Sequence, residues 1–415
     1  MTSHALRATA IAASILASAF TAHAADEPDP KIVEAAAKKV AETLGIKLWG
    51  YMRSGFYSAT NDGPKGHYGL GGDLQHFRLG NEGDNYMEFG IGKKFDLGGG
   101  LKWGTYYMPT VYNGSSGTAQ IYTDISGLDF APNLTLWAGQ RYHRIQDIHM
   151  VDNWVMEDGD NYGAGVDGIR VGGGALNVAL YTDGSAGNGN KTSNNGRRLN
   201  LQLQDLPVNP GGKLSLTAAV IRGSFAKGSS GGAIGLLHNQ ENFVVKGLTN
   251  SLFLQTSSGH ASLNGKFYNL DNGGVAQSGA RQTRIVDNIT WQVGPFGGQA
   301  LVGYQTTSPS DGGAKVKDFS LGGRMSYGVA KNVKLLGELA TTSRKIEGQD
   351  NQQLHKGTIA VAFAPNTDFW TRPELRLYVT QANWNDAAGA ANSSSFGAAN
   401  RTNNTAFGVQ VEAWW

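Results

Sequence analysis

The segment "NYMEFGIGKKF", Asn85 to Phe95, sets Met87, Phe89, Ile91 and Phe95 against Tyr86, Glu88, Gly90 and Gly92. Apolar and polar positions alternate with a period of two, the pattern of an extended strand with one apolar face. The alternation returns in "LNLQLQDL", where Leu199, Leu201 and Leu203 oppose Asn200, Gln202 and Gln204. It recurs in "GKLSLTAAV", where Leu214, Leu216 and Ala218 oppose Ser215, Thr217 and Ala219, and again in "NITWQVG" and "LRLYVTQ". A run of about ten residues is what a tilted strand needs to cross a bilayer.

Composition agrees with a β-rich chain. Among 415 residues there are 59 Gly but only 11 Pro, and aromatics make up 10% with 9 Trp and 15 Tyr, which fits neither a collagen repeat nor a disordered tail. A formal net charge of +2 implies no basic surface for nucleic acid. The absence of cysteine removes disulfides, zinc-thiolate sites and thiol nucleophiles together. No cofactor is expected.

Residues 1–24 read as a cleaved export signal: Arg7, an apolar core "AIAASILASAF", then small residues at Ala22 and Ala24. Its removal leaves 34 basic against 33 acidic residues, a net charge of +1. Beyond it no run of 18 or more apolar residues occurs, so a membrane-spanning helix is excluded and a closed β-barrel is the remaining spanning solution. A mean hydropathy of −0.31 is compatible with that, because only one face of each strand is apolar.

Between signal and strands, "DPKIVEAAAKKVAETLGI" (29–46) places Val33, Ala37, Val40 and Leu44 on one helical seam, with Asp29 and Pro30 at its start and Gly45 at its end. Residues 25–45 are therefore expected to form a short amphipathic helix, either for self-association or as a linker. A barrel domain is expected from residue 46 to 415. "VNPGGK", "GPFGG" and "GVAKNV" read as tight turns. "DGSAGNGNKTSNNG" (183–196), "GSFAKGSSGGAIGLLHNQEN" (223–242) and "NDAAGAANSSSFGAANRTNN" (385–404) read as long loops. Short turns on one side and long loops on the other are the asymmetry of an outer-membrane barrel.

The chain closes on "FGVQVEAWW". Parity puts Phe407, Val409, Val411, Ala413 and Trp415 on one face and Gly408, Gln410, Glu412 and Trp414 on the other. Trp415 is expected in the interfacial aromatic girdle and Trp414 in the lumen, where an indole suits the CH face of a sugar.

"GAGVDG" (163–168) matches a dinucleotide-binding fingerprint, but the strand-like "IRVGGGALNVALY" follows it where that motif needs a helix. No G-x-S-x-G, H-E-x-x-H or P-loop sequence occurs, and His143 and His149 lack metal-ligand company. An outer-membrane hydrolase is thereby disfavoured, and the chain is expected not to be an enzyme.

The segments "GYMRSG" (50–55), "FRLGNEGDNYMEF" (77–89), "LWAGQRYHRIQDIHMVDNWV" (136–155), "FWTRPELRLYVTQANW" (369–384) and the final "VEAWW" closely resemble the maltoporin family of carbohydrate porins, from Trp49 to Trp415. The resemblance implies an 18-stranded antiparallel transmembrane β-barrel, all-β apart from the short N-terminal helix, assembled as a homotrimer in outer-membrane lipid. It implies an oligosaccharide substrate that moves along an aromatic slide. By motif position Tyr51 and Tyr86 match slide tyrosines, Trp370 and Trp414 match slide tryptophans, and a slide phenylalanine falls near Leu252 and Phe253. Arg53, Arg78 and Glu88 match channel-lining positions that bond sugar hydroxyls, and Asp147 and Asp152 match acidic constriction residues. Arg53 follows Tyr51 by two residues, as Glu88 follows Tyr86, so each stacking ring shares a wall with a polar group.

The chain departs from the family pattern at several positions. Ile145 stands where an arginine is usual, with Arg144 one place earlier and nominally on the opposite face. Trp154 replaces a tyrosine plug. A tryptophan supplied by the neighbouring subunit has no counterpart in "MPTVYNGSSGTAQIYTDI", where Tyr112 or Tyr122 are the candidates to stand in for it, and Gly83 occupies one position of a missing cysteine pair. The expected function is a sugar-selective porin for maltose, malto-oligosaccharides or related oligosaccharides. The alternative is a non-selective diffusion porin on the same barrel.

Overall fold

The computed structural model describes residue 39 and residues 43–60, 63–183, 195–225, 227–270, 278–397 and 401–415. The export signal lies outside the described residues, as does most of the expected helix. Of residues 25–45 only Lys39, Thr43, Leu44 and Gly45 are described, and the Thr43 hydroxyl donates to the Lys39 carbonyl at 2.7 Å.

The strands are β1 Ile46–Ala59, β2 Tyr86–Gly98, β3 Leu101–Tyr112, β4 Ser115–Leu128, β5 Ala131–Gln140, β6 Arg144–Ile148, β7 Asn153–Glu157, β8 Tyr162–Val171, β9 Gly174–Thr182 and β10 Arg197–Asn209. They continue with β11 Gly212–Arg222, β12 Gly231–Gln240, β13 Leu248–Ser258, β14 Ala280–Val293, β15 Phe296–Pro309, β16 Val316–Ala330, β17 Val333–Ile346, β18 Gln352–Phe363, β19 Glu374–Trp384 and β20 Asn403–Trp414. All but β6 and β7 form one 18-stranded sheet of antiparallel neighbours. It closes where β1 pairs with β2 on one side and with β20 on the other, so no edge is left open.

The polarity of this sheet is the reverse of a water-soluble protein. Leu339 and Ile359 are 69% and 71% exposed on the outside, while Arg198, Arg324 and Arg376 are buried inside. Strand β19 shows the reason: Leu375, Leu377 and Val379 point out, and Glu374, Arg376 and Thr380 point in. An apolar exterior of this kind requires hydrocarbon as its solvent. Phe407 and Trp415 face outward as parity predicts, and Trp415 lies over Gly50 with Phe89 nearby (ring centroids 6.3 Å).

At the end carrying both barrel termini the connections are mostly two-residue turns, as at 210–211, 294–295 and 331–332, with longer ones at 241–247 and 364–373. The opposite rim carries the described parts of the connections 60–85, 141–161, 259–279 and 385–402, the last containing the helices α1 Asp386–Ala391 and α2 Ser393–Phe396. One expected loop needs correction. The stretch 223–242 contains β12, in which Ala233, Gly235 and Leu237 point in and Ile234 points out; its glycine-rich start disguised the alternation. The decoy "GAGVDG" lies inside β8 and runs on into β9.

Two rim connections fold back into the barrel. Segment 60–85 is pinned to the wall through Leu79, whose amide donates to Glu338 (3.1 Å) and whose carbonyl accepts from Lys356 (2.7 Å) and Thr358 (2.9 Å). Gly80 follows with φ +60, pressed so close to Thr358, Tyr378 and Thr380 that a side chain there would collide. Segment 141–161 carries the β6–β7 hairpin and a 3-10 turn at His149–Val151. Between the two inserts and the wall of β12 to β17 lies an apolar core of Leu74, Phe77, Ile148, Met150, Val155, Met156, Leu237, Phe253, Val286 and Leu301. Each large side chain buried there contributes about 1.5–3 kcal/mol. The open passage is thereby pushed against the remaining wall.

Candidate functional site

That remaining wall is the sheet β20–β1–β2, whose register sets aromatic and charged residues side by side. Tyr51 pairs with Trp414 on one flank and Glu88 on the other; one row further, Arg53 pairs with Glu412 and Tyr86. All point inward, because each is an even number of residues from its neighbour on the same strand. The inserts close over this patch and leave a cavity of about 620 Å³. Tyr51, Arg53, Tyr86, Glu88 and Trp414 line it from the wall. Arg78 enters from segment 60–85, Trp370 from the connection 364–373, and Arg144, Asp147, Asp152 and Trp154 from segment 141–161.

Apart from Phe253, every slide and channel-lining candidate matched by motif position converges on one cavity, with Arg144 and Trp154. The Phe253 ring does point into the barrel, but the β6–β7 insert covers it completely, and it packs in the apolar core. Arg144 and Ile145 face opposite ways, as expected, but it is Arg144 that turns to the cavity. Register irregularities between Arg144, Gln146 and Ile148 break the parity of β6, so Arg144 and Asp147 both reach the cavity while Ile145 packs against the core. Of the two candidate substitutes for the missing tryptophan, Tyr112 sits beside Tyr86 (6.3 Å), whereas Tyr122 stacks on Tyr106 elsewhere.

The rings form a line. Tyr112 leads to Tyr86, Tyr86 to Tyr51 (6.1 Å), and Tyr51 is register partner to Trp414. His149 then stands edge-on between Trp414 (5.5 Å) and Trp370 (5.6 Å). Sequence reasoning passed over His149, Tyr142 and Asp160, which also line the cavity. The only signal for Tyr142 and His149 was membership of the same quoted segment as Asp147 and Asp152, and Asp160 lies five residues beyond it.

The charges around this line are held in fixed positions. Arg53 makes a two-pronged bond to Asp84 (2.7 and 2.9 Å) and reaches Asp152 at 3.4 Å. Arg78 bonds Glu82 (2.7 Å), Glu412 (3.0 Å) and His149 Nδ1 (3.0 Å). The guanidinium of Arg144 lies between the rings of Tyr142 (3.5 Å) and Trp154 (4.4 Å) and donates to Glu157 (3.0 Å). Glu88 accepts from the hydroxyls of Tyr86 (2.6 Å) and Tyr142 (2.5 Å). In place of the missing cysteine pair, Asn81 ties its own loop together, donating to the carbonyls of Tyr68 and Phe77 at 2.9 Å each.

Burial and the nearby Arg78 hold the His149 imidazole down at about 4, so it is neutral at physiological pH. Burial pushes the Asp147 carboxyl up to about 6 against the pull of Arg78. Burial also acts to raise Asp152, but Arg78 and Arg53 outweigh it and hold that carboxyl below its ordinary value. No cluster suited to a metal ion occurs among the described residues. The arrangement offers flat apolar faces in sequence with fixed donors and acceptors beside them.

The family model for LamB porin matches residues 46–415. Solved structures with a similar fold include Acinetobacter baumannii OccAB1, 10% identical, with 89% of this chain and 96% of that chain covered and a TM-score of 0.51. The anion-selective porin of Comamonas acidovorans is 14% identical over 88% and 99% of the two chains, with a TM-score of 0.48. At 10% identity the likeness to OccAB1 is one of fold. The family match covers nearly the whole chain, and the protein belongs to the LamB porin family: an outer-membrane β-barrel channel, not an enzyme.

Proposed function

We propose that this LamB-family barrel is a sugar-selective porin that carries maltose, malto-oligosaccharides or related oligosaccharides by facilitated diffusion along the line from Tyr86 to Trp370. The observation that carries the reading is the continuity of Tyr86, Tyr51, Trp414, His149 and Trp370 along one side of a single cavity. A pyranose CH face stacks on each ring in turn, while its hydroxyls exchange bonds with Arg53, Glu88, Arg144, Asp147 and Asp152. Each contact is weak enough to release, so affinity is shared among successive positions, as conduction requires. The apolar exterior suits outer-membrane lipid, and the working unit is a homotrimer exported by a cleaved signal.

Single-channel recording with maltose, sucrose and longer glucans tests this. Sugar-dependent block with resolvable dwell times is expected, with the strongest block by the sugar the line fits best. Current unaffected by any of them would favour the alternative, a non-selective diffusion porin whose lumen charges serve only to pair with each other, as Arg53 and Asp84 do.

A further inference from the structure

A second aromatic surface lies on the same inner wall, outside the cavity just described. Trp49 sits two residues before Tyr51 on the same face of β1, about 6.6 Å nearer the end that carries the barrel termini. Its indole lies over Gly90 and Gly92 of β2, so closely that a Cβ at Gly90 would come within 3 Å of three of its ring carbons. Tyr106 of β3 meets Trp49 edge-on at 6.2 Å and lies over Gly92 and Gly104. Tyr122 of β4 is stacked on Tyr106 at 4.5 Å and 19°. Glycines beneath Trp49 and Tyr106 let those two rings lie down on the wall, and Tyr122, stacked on Tyr106, extends the aromatic surface.

None of these residues belongs to the apolar core, and Trp49, Tyr106 and Tyr122 are all half-buried. Polar groups stand beside them. The Asp124 carboxylate converges with the Tyr106 hydroxyl over Gly104, and the Arg141 guanidinium lies 5.4 Å from the Tyr122 ring. Rings flat against a wall with a carboxylate and a guanidinium at their border repeat the chemistry of the Tyr51–Trp414 line.

We propose that the aromatic path forks at Tyr51, and that Trp49, Tyr106 and Tyr122 form a second stacking platform for a pyranose unit in the vestibule on the side of the chain termini. The inference rests on the sugar-porin reading. One arm runs through Trp414 to Trp370, and the other through Trp49 to Tyr122. An oligosaccharide entering from the terminal side meets the platform first, and one arriving from the rim passes it last.

The test adds maltose or a longer maltodextrin to one side at a time of a planar bilayer holding the full-length protein, wild type, Trp49→Leu or Tyr122→Leu. Leucine keeps apolar bulk against the wall without an aromatic face. Each variant is expected to weaken maltodextrin block from the terminal side by about 2- to 13-fold, the scale of one aromatic stacking contact. Block by maltose from the rim side and single-channel conductance should stay near wild type. Block weakened in Trp414→Ala but unchanged from both sides in both leucine variants would overturn the platform and leave the sugar-porin reading standing. No sugar block of the wild type from either side would overturn both. If one leucine variant fails to assemble, the other carries the test.

Discussion

Glu338 on β17 and Glu88 on β2 are both buried carboxylates on the inner wall, 1% and 8% exposed, yet only Glu88 borders the cavity. Glu338 is bound by two cations, Arg324 and Lys356, at 2.8 Å each, and by the amide of Leu79 from segment 60–85. The hydrogen-bond partners of Glu88 are the hydroxyls of Tyr86 and Tyr142. The contrast extends along each wall. On β16 to β19 the charges are neutralised in pairs, such as Lys334 with Glu374 at 2.6 Å, and an insert is anchored on top. On β20, β1 and β2 the charges alternate with rings, and Arg53, Glu88, Tyr51, Tyr86 and Trp414 border the cavity. One half of the lumen is therefore scaffold and the other half is surface for a passenger, although both are built from the same residue types.

The largest expected effects lie on the scaffold side. Glu338→Ala leaves Arg324 and Lys356 buried without a counter-charge and releases Leu79, at a cost of about 3–5 kcal/mol. Phe253→Ala removes a fully covered ring from the core and costs a similar 3–5 kcal/mol, about what buried aromatic truncations do. Both should lower the thermal midpoint of the folded barrel in detergent. The folded Phe253→Ala channels should still be blocked by sugar. Loss of block by Phe253→Ala with an unchanged midpoint would move that ring back onto the slide and dissolve the distinction between the walls.

The passenger side predicts the opposite signature. Trp414→Ala should leave the midpoint nearly unaltered and weaken sugar block by about 2- to 13-fold, the worth of one stacking contact. Its neighbour Trp415 faces lipid, so Trp415→Ala should reduce insertion yield while the channels that form bind sugar normally. Exchange of those two outcomes would mean that the register of β20 is wrong by one residue.

The smallest effect is electrostatic. Asp147, raised to about 6 by burial, is charged at pH 7.5 and gains a proton as pH falls through 6; His149, held near 4, stays neutral over that range. Lowering the pH from 7.5 to 5 therefore removes a negative charge among Arg78, Arg144 and Asp152. Cation preference, read from reversal potentials under a salt gradient, should decline with a midpoint near 6, and Asp147→Asn should show no such step. A step that persists in the variant belongs to another group, Glu157 beside Arg144 being the first to examine, since burial raises its carboxyl too.

Much of this architecture was legible because a period of two is a local property. It survives any arrangement of the strands around it, and it correctly divided Phe407 from Gly408 and Trp415 from Trp414. It failed where the local signal was diluted, as in β12, whose apolar residues follow a run of serine and glycine. Parity also breaks within β6, where register irregularities let Arg144 and Asp147, three residues apart, both reach the cavity. Residue types and motif positions together identified the tyrosines, tryptophans and charges of the site. They could not tell a ring that faces the passage from one that faces it beneath a cover, which is why Phe253 was assigned to the slide.

The sequence by itself determined that this chain alternates into membrane-crossing strands, that its apolar faces need hydrocarbon, and which side chains turn inward wherever the alternation is clear. Those facts follow from backbone geometry and the cost of burying unpaired polar groups, and both act residue by residue. The tertiary structure alone decided where the passage lies. Segments 60–85 and 141–161 carry no alternation that announces an interior position. They turn inward because Leu74, Phe77, Ile148 and Met150 find apolar partners on the wall of β12 to β17, and because Leu79 finds Glu338 and Lys356 there. Such contacts join residues hundreds of positions apart in the chain, and only the closed barrel brings them within reach.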